Sequence, residues 1–170
     1  MFAMASTDFI KAHKVSQVTA SGEISWQLDS SPVNVDTSSG VLEPLSSFES
    51  KSTGTLFYSS FDISSIPATS DGSTTTVING IECKILSNKD ARIVDSVIQL
   101  SQSDSVIGNN QALSTAGEIH TYGTSTNMWG TSLAYGDLAT LQVAVKYKSG
   151  SIPHRDSCFV NSVQLKIYYT

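Results

Sequence analysis

The chain is predicted to be all-β: an antiparallel β-sandwich, jelly-roll-like, with a short N-terminal arm. Three observations predict this. Apolar residues recur with a period of two in one segment after another, as strands read when one face is buried and the other is wet. Clusters of Gly, Pro, Asn and Ser separate those segments at short intervals. Long helical patterns are absent, and no repeat of fixed period points to a propeller or solenoid.

Residues 1–20 differ from the remainder. Phe2, Phe9 and Ile10 stand among small and polar residues without a full strand or helix pattern. One reading is an arm that docks on a neighbouring subunit through these three side chains. The other is a frayed terminus or a first edge strand. Residues 21–170 read as a single sandwich domain.

Within it, Glu23–Leu28 is a short strand with Ile24, Trp26 and Leu28 on one face. Pro32, Gly40 and Pro44 break the next segment into loop with one short strand. Thr55–Ile63 is a strand in which Leu56, Tyr58 and Ser60 alternate with Phe57, Ser59 and Phe61. Pro67 and Gly72 mark the turns that follow. In Gly80–Leu86, Ile81, Cys83 and Ile85 point one way while Glu82 and Lys84 point the other. Arg92–Ser101 places Val94, Ser96, Ile98 and Leu100 on one face. Ser105–Ile107 is a short strand closed by Gly108, Asn109 and Asn110. Ile119–Tyr122 is a strand ended by Gly123, and Thr124–Gly136 is a structured loop around Trp129. Tyr135–Ala139 reads as one helical turn. Leu141–Lys148 turns Leu141, Val143, Val145 and Tyr147 inward, and Phe159–Tyr169 ends the chain with Val163, Leu165 and Ile167 toward the core.

Composition narrows the function classes. At 170 residues the chain fits one domain with a sizeable core. Charged residues are only 15%, below the roughly 25% of an average soluble protein. Ser and Thr take their place at roughly a quarter of the chain. Surfaces solvated by hydroxyls are common among extracellular and particle-surface β proteins. The net charge of −5, with ten Lys and Arg spread along the chain, offers no basic cluster for phosphates or for an anionic membrane. Nucleic acid and membrane are therefore not expected partners. The N-terminus lacks the apolar core of a signal peptide, and no apolar run approaches a membrane span. The protein is expected to be made in a cytosol and to leave it only as part of something larger.

The chemistry-bearing residues form no constellation. Cys83 and Cys158 read as two buried thiols, too few for a disulfide scaffold and without the His partners of a zinc site. His154-Arg155-Asp156 matches a kinase tripeptide, but no other kinase element accompanies it. His13, His120 and His154 read as surface or edge residues, and no Gly-x-Ser-x-Gly elbow is present. Asp62, Asp95, Asp104, Glu82 and Glu118 have no spacing that pairs two of them for glycoside hydrolysis. Asn88-Lys89-Asp90 is a weak calcium candidate without the EF-hand pattern. Tyr122, Trp129 and Tyr135 cluster near loops, and are read either as a glycan-stacking platform or as a loop held down by a buried Trp. No catalytic residue, metal or cofactor is assigned.

The segments Leu56–Pro67 (LFYSSFDISSIP), Val77–Ile85 (VINGIECKI), Val94–Leu100 (VDSVIQL), Ile107–Asn110 (IGNN), Tyr122–Gly130 (YGTSTNMWG) and Val163–Tyr169 (VQLKIYY) follow in one order. Together they resemble a β-sandwich module of tailed-bacteriophage virion proteins and phage-derived bacterial proteins. Cys83, Asn127-Met128 and Ser162 depart from its usual residues. The resemblance implies a non-enzymatic structural protein of the virion surface, synthesised in the host cytoplasm. A single-domain version suits a capsid decoration, cement or head accessory protein anchored through its arm. Its implied partners are other virion proteins, capsid or tail subunits, and further copies of itself, as in a trimer. The alternative is a tail-associated receptor- or glycan-binding module.

Overall fold

The computed structural model describes residues 3–28, 43–44, 52–89, 93–114, 119–149 and 158–170. Among these residues the strands are β1 (Ala5–Ser6), β2 (Ile10–Lys11), β3 (Lys14–Val18), β4 (Trp26–Gln27), β5 (Glu43–Pro44) and β6 (Thr55–Ser59). They continue with β7 (Ile78–Lys89), β8 (Ile93–Gln102), β9 (Ser105–Ile107), β10 (Ile119–Thr124), β11 (Leu141–Ser149) and β12 (Cys158–Tyr169). The helical turn expected at Tyr135 is a 3-10 turn, Tyr135–Thr140.

Two antiparallel sheets pack face to face. One runs β1-β12-β7-β10, with β2 also paired to β12; the other runs β3-β6-β11-β8-β9. The pairs nest: β1 and β2 with β12, β6 with β11, β7 with β10, β8 with β9. β7·β12 and β8·β11 then join them within each sheet. A ribbon folded back on itself and rolled in this way is a jelly roll. β4 and β5 form a separate two-stranded sheet.

The core lies between the sheets and follows the alternation of the strands. Ile81, Cys83 and Ile85 from β7 meet Val163, Leu165 and Ile167 from β12, all buried. Leu56 and Tyr58, Ile98 and Leu100, and Leu141, Val143, Val145 and Tyr147 line the other sheet. Burying each aliphatic side chain is worth about 1.5–3 kcal/mol. Ile24 and Trp26 are buried as expected, and Leu28 packs against the core.

Two expectations are corrected, and one open alternative is decided. First, the strand expected over Thr55–Ile63 stops at Ser59, because Ser60 turns the backbone to φ 58°. Its outer face is covered as well: Phe57 and its register partner Ala144 are both buried. Second, Val94 and Ser96 do not share the inward face of Ile98 and Leu100. The register with β11 jumps from Lys146↔Val97 to Tyr147↔Asp95. This bulge reverses the inward phase, so Ile93 and Asp95 are the buried residues before it.

Of the two readings of the N-terminal segment, its described part follows the edge strand and not the arm. β1 and β2 lie along the edge of one sheet, and β3 pairs with β6 at the edge of the other. The crossing takes two consecutive residues: Ala12 N–H donates to Val163 O and His13 N–H to Ser59 O, each at 3.0 Å. Two of the three proposed docking side chains, Phe9 and Ile10, are used within the chain. Ile10 packs against the core. Phe9 is half-buried, with the ammonium groups of Lys84 and Lys166 5.1 and 5.9 Å from its ring centre. Phe2 lies outside the described residues.

Candidate functional site

The bulge in β8 creates a buried polar cluster that the sequence did not announce. It turns Asp95 into the sandwich, opposite Tyr147. Lys89, the last residue of β7, reaches the same point from the other sheet. Lys89 Nζ donates to Asp95 Oδ1 at 2.8 Å, and both side chains are closed to solvent. Asp95 Oδ2 accepts two further bonds, from the Tyr122 hydroxyl at 2.7 Å and from the Leu113 N–H at 3.1 Å. The Asp95 N–H returns a bond to Leu113 O at 3.3 Å. The ammonium also sits 4.5 Å from the centre of the Tyr147 ring, a cation–π contact in a dry setting.

Tyr147 is itself held between neighbours. Trp26 meets its ring edge-on at 5.9 Å, and Ser87 shares a hydrogen bond with its hydroxyl. Burial, and then the Asp95 carboxylate, push both the Tyr122 and Tyr147 phenols far above the ordinary tyrosine range. Both therefore stay protonated at any physiological pH. Burial likewise raises the Cys83 thiol and the Tyr58 phenol. The Tyr58 hydroxyl and His120 Nε2 are buried without a hydrogen-bond partner among the described residues.

The carboxylates considered for paired catalysis are dispersed. Asp62 accepts from the Ser64 N–H, Asp104 from Gln142 Nε2, Glu82 from the Tyr168 hydroxyl, and Asp95 from the groups above. Glu118 lies outside the described residues, as do His154, Arg155, Asp156 and Asp90. Lys89 of the calcium candidate turns its side chain inward to Asp95. Among the described residues no group of three or more His, Cys, Asp or Glu is placed to hold a metal ion. Cys83 and Cys158 are buried and not joined. They pair with Leu165 and Lys89 at different heights of the β7·β12 ladder, about 20 Å apart along the strands, beyond the reach of a disulfide.

The glycan-stacking platform does not form. Trp129 is 0% exposed and Tyr122 3%, while Tyr135 is half-buried and donates its hydroxyl to Ile66 O at 3.2 Å. The loop exists to seat Trp129. Asn127 Oδ1 accepts the Trp129 N–H at 2.7 Å, and the indole N–H donates to Ile81 O at 2.8 Å. Gly123, at φ 77°, leaves the room: a Cβ there would stand 2.6 Å from Trp129 Nε1 and 2.2 Å from Ile81 O. The Tyr-Gly and Trp-Gly dipeptides of this segment thus answer to packing.

Among the described residues no helix is long and apolar enough to cross a membrane. Comparison with protein-family models, with curated proteins and with solved structures finds no match in any of the three.

Proposed function

We propose that the chain is a non-enzymatic structural protein of a bacteriophage virion, a jelly-roll module that decorates or cements the capsid or serves as a head accessory. One observation carries the reading. The six segments that resemble the virion module supply β6 and its following loop, β7, β8, the end of β9, β10 with the Trp129 loop, and β12, which pack as one nested sandwich. The interior polar groups support it too, since Lys89, Asp95, Tyr122 and Tyr147 bind one another across the sheets rather than opening onto a surface.

Residues 5–18 are engaged with the chain's own sheets, so contact with capsid subunits or further copies falls to the sandwich edges. Val18, Val106 and Ile119 are exposed on β3, β9 and β10, three of the four strands that end the two sheets. The test is to fractionate particles from the producing cells on a density gradient and probe for the chain. It is expected to band with the particles through a salt wash. Recovery only from the particle-free fraction overturns the proposal.

A further inference from the structure

We propose that Lys89 and Asp95 condense to an intramolecular amide, so that the mature chain carries a covalent tie between β7 and β8. The geometry is that of an acyl-transfer site assembled around a single carboxyl group. The nucleophile, Lys89 Nζ, is 2.8 Å from Asp95 Oδ1. The other oxygen, Oδ2, receives two donors, the Tyr122 hydroxyl at 2.7 Å and the Leu113 N–H at 3.1 Å. Two fixed donors on one oxygen, in a site closed to solvent, are what stabilises a developing oxyanion. The division of labour between Oδ1 and Oδ2 is what the reaction requires.

The step balances without any co-reactant. A proton passes from the Lys89 ammonium to Asp95 Oδ1, giving an amine and a carboxylic acid. In a site closed to water this removes two charges from a medium that solvates them poorly. The Nζ lone pair attacks Cγ, and the electron pair of the Cγ–Oδ2 double bond moves onto Oδ2, where Tyr122 and Leu113 hold it. A second proton moves from the nitrogen to Oδ1, the Cγ–Oδ1 bond breaks, and Oδ1 leaves as water while Cγ–Oδ2 regains its double bond. One C–N bond forms, one C–O bond breaks and one water is released. Holding the partners in contact supplies the effective concentration that a bimolecular condensation lacks. Tyr147, with its ring over the nitrogen, and Trp26, against Tyr147, act as positioning residues that keep Lys89 aimed at Asp95.

The amide would close a ring through residues 89–95 and fix the end of one sheet to the start of the other. It goes beyond the structural reading above and does not depend on it.

Peptide mapping of the denatured wild-type chain tests it directly. Trypsin is expected to spare the bond after Lys89 and to release Ile85–Arg92 joined to Ile93–Lys146, as one branched species lighter by one water than the two peptides together. Lys89→Arg is expected to yield separate peptides of full mass. Tyr122→Phe is expected to lower the linked fraction in freshly synthesised protein. Recovery of the wild-type peptides unlinked, with cleavage after Lys89, overturns the proposal whatever the variants do. Linkage in Tyr122→Phe at the wild-type rate overturns the part assigned to its hydroxyl.

Discussion

Lys89 ends β7 and Asp95 lies near the start of β8, six residues on, and their charged groups meet inside the sandwich at 2.8 Å. Removing one partner leaves the other charged and buried, which costs about 3–5 kcal/mol. Lys89→Met is therefore expected to lower stability by at least that amount, since it also removes the amide proposed above. Adding Asp95→Asn removes the stranded charge while keeping an acceptor oxygen for Tyr122 and Leu113, so the double variant is expected to be more stable than Lys89→Met alone. Urea midpoints across the four proteins check this. Strictly additive losses would show that the two side chains are not coupled.

Tyr58→Phe is expected to stabilise the protein. The hydroxyl is fully buried and has no partner among the described residues, and an unpaired buried polar group costs about 1–3 kcal/mol. The same residue sets an alkaline limit. Burial raises its phenol above the ordinary value of 10.0, so the native state keeps it protonated while the unfolded chain releases the proton. The stability it contributes is complete below pH ~10 and declines as pH rises beyond that, by about 1.4 kcal/mol per pH unit for each such group. Tyr122 and Tyr147 add to the slope in the same direction. Unfolding titrations from pH 9 to 11 are expected to show a shallower decline in Tyr58→Phe (endpoints about one unit either side of the ordinary tyrosine value). An unchanged slope, or a loss of stability at neutral pH, contradicts the assignment.

Trp129→Ala is expected to cost about 3–5 kcal/mol, as for other large-to-small changes in a core, because the indole is fully enclosed and bonded to Ile81 O. Gly123→Ala is expected to reproduce part of the loss through the clash of its Cβ with Ile81 O and the indole nitrogen. Thermal melts measure both. A Trp129→Ala protein as stable as wild type would mean that the side chain is not part of the core.

Deleting residues 1–13 strips β1, β2 and the crossing hydrogen bonds of Ala12 and His13. The expected cost is about 3 kcal/mol, or a fall in Tm of about 6–12 °C for a chain of this size. A truncated protein that melts with the wild type would return the segment to the role of an arm. Loss of particle incorporation by such a truncation therefore has to be read beside its melting curve.

Much of the sandwich was legible as sequence. Ile81, Cys83 and Ile85, or Val163, Leu165 and Ile167, announce their inward face because strand alternation is a local property of neighbouring residues. The edge strands β1 and β2 were legible only as one of two readings of residues 1–20, since two paired residues are too few to show a period. The aromatic cluster was visible at Tyr122, Trp129 and Tyr135, but whether a ring faces solvent or core depends on what packs over it. The polar site was hidden for a sharper reason. Alternation read through Val94, Ser96, Ile98 and Leu100 puts Asp95 outward, and only the bulge opposite Lys146 and Tyr147 turns it in.

The sequence by itself determined the all-β class, the positions of the long strands and most of their inward faces, because hydrophobic period and turn residues act over a few neighbours. Tertiary structure alone decided the rest: the nested strand order, the place of residues 5–18 at both sheet edges, the enclosure of Trp129 against Ile81, and the meeting of Lys89 with Asp95, Tyr122 and Tyr147. Each of these depends on register between strands remote in the chain, where a shift of one residue exchanges core for solvent.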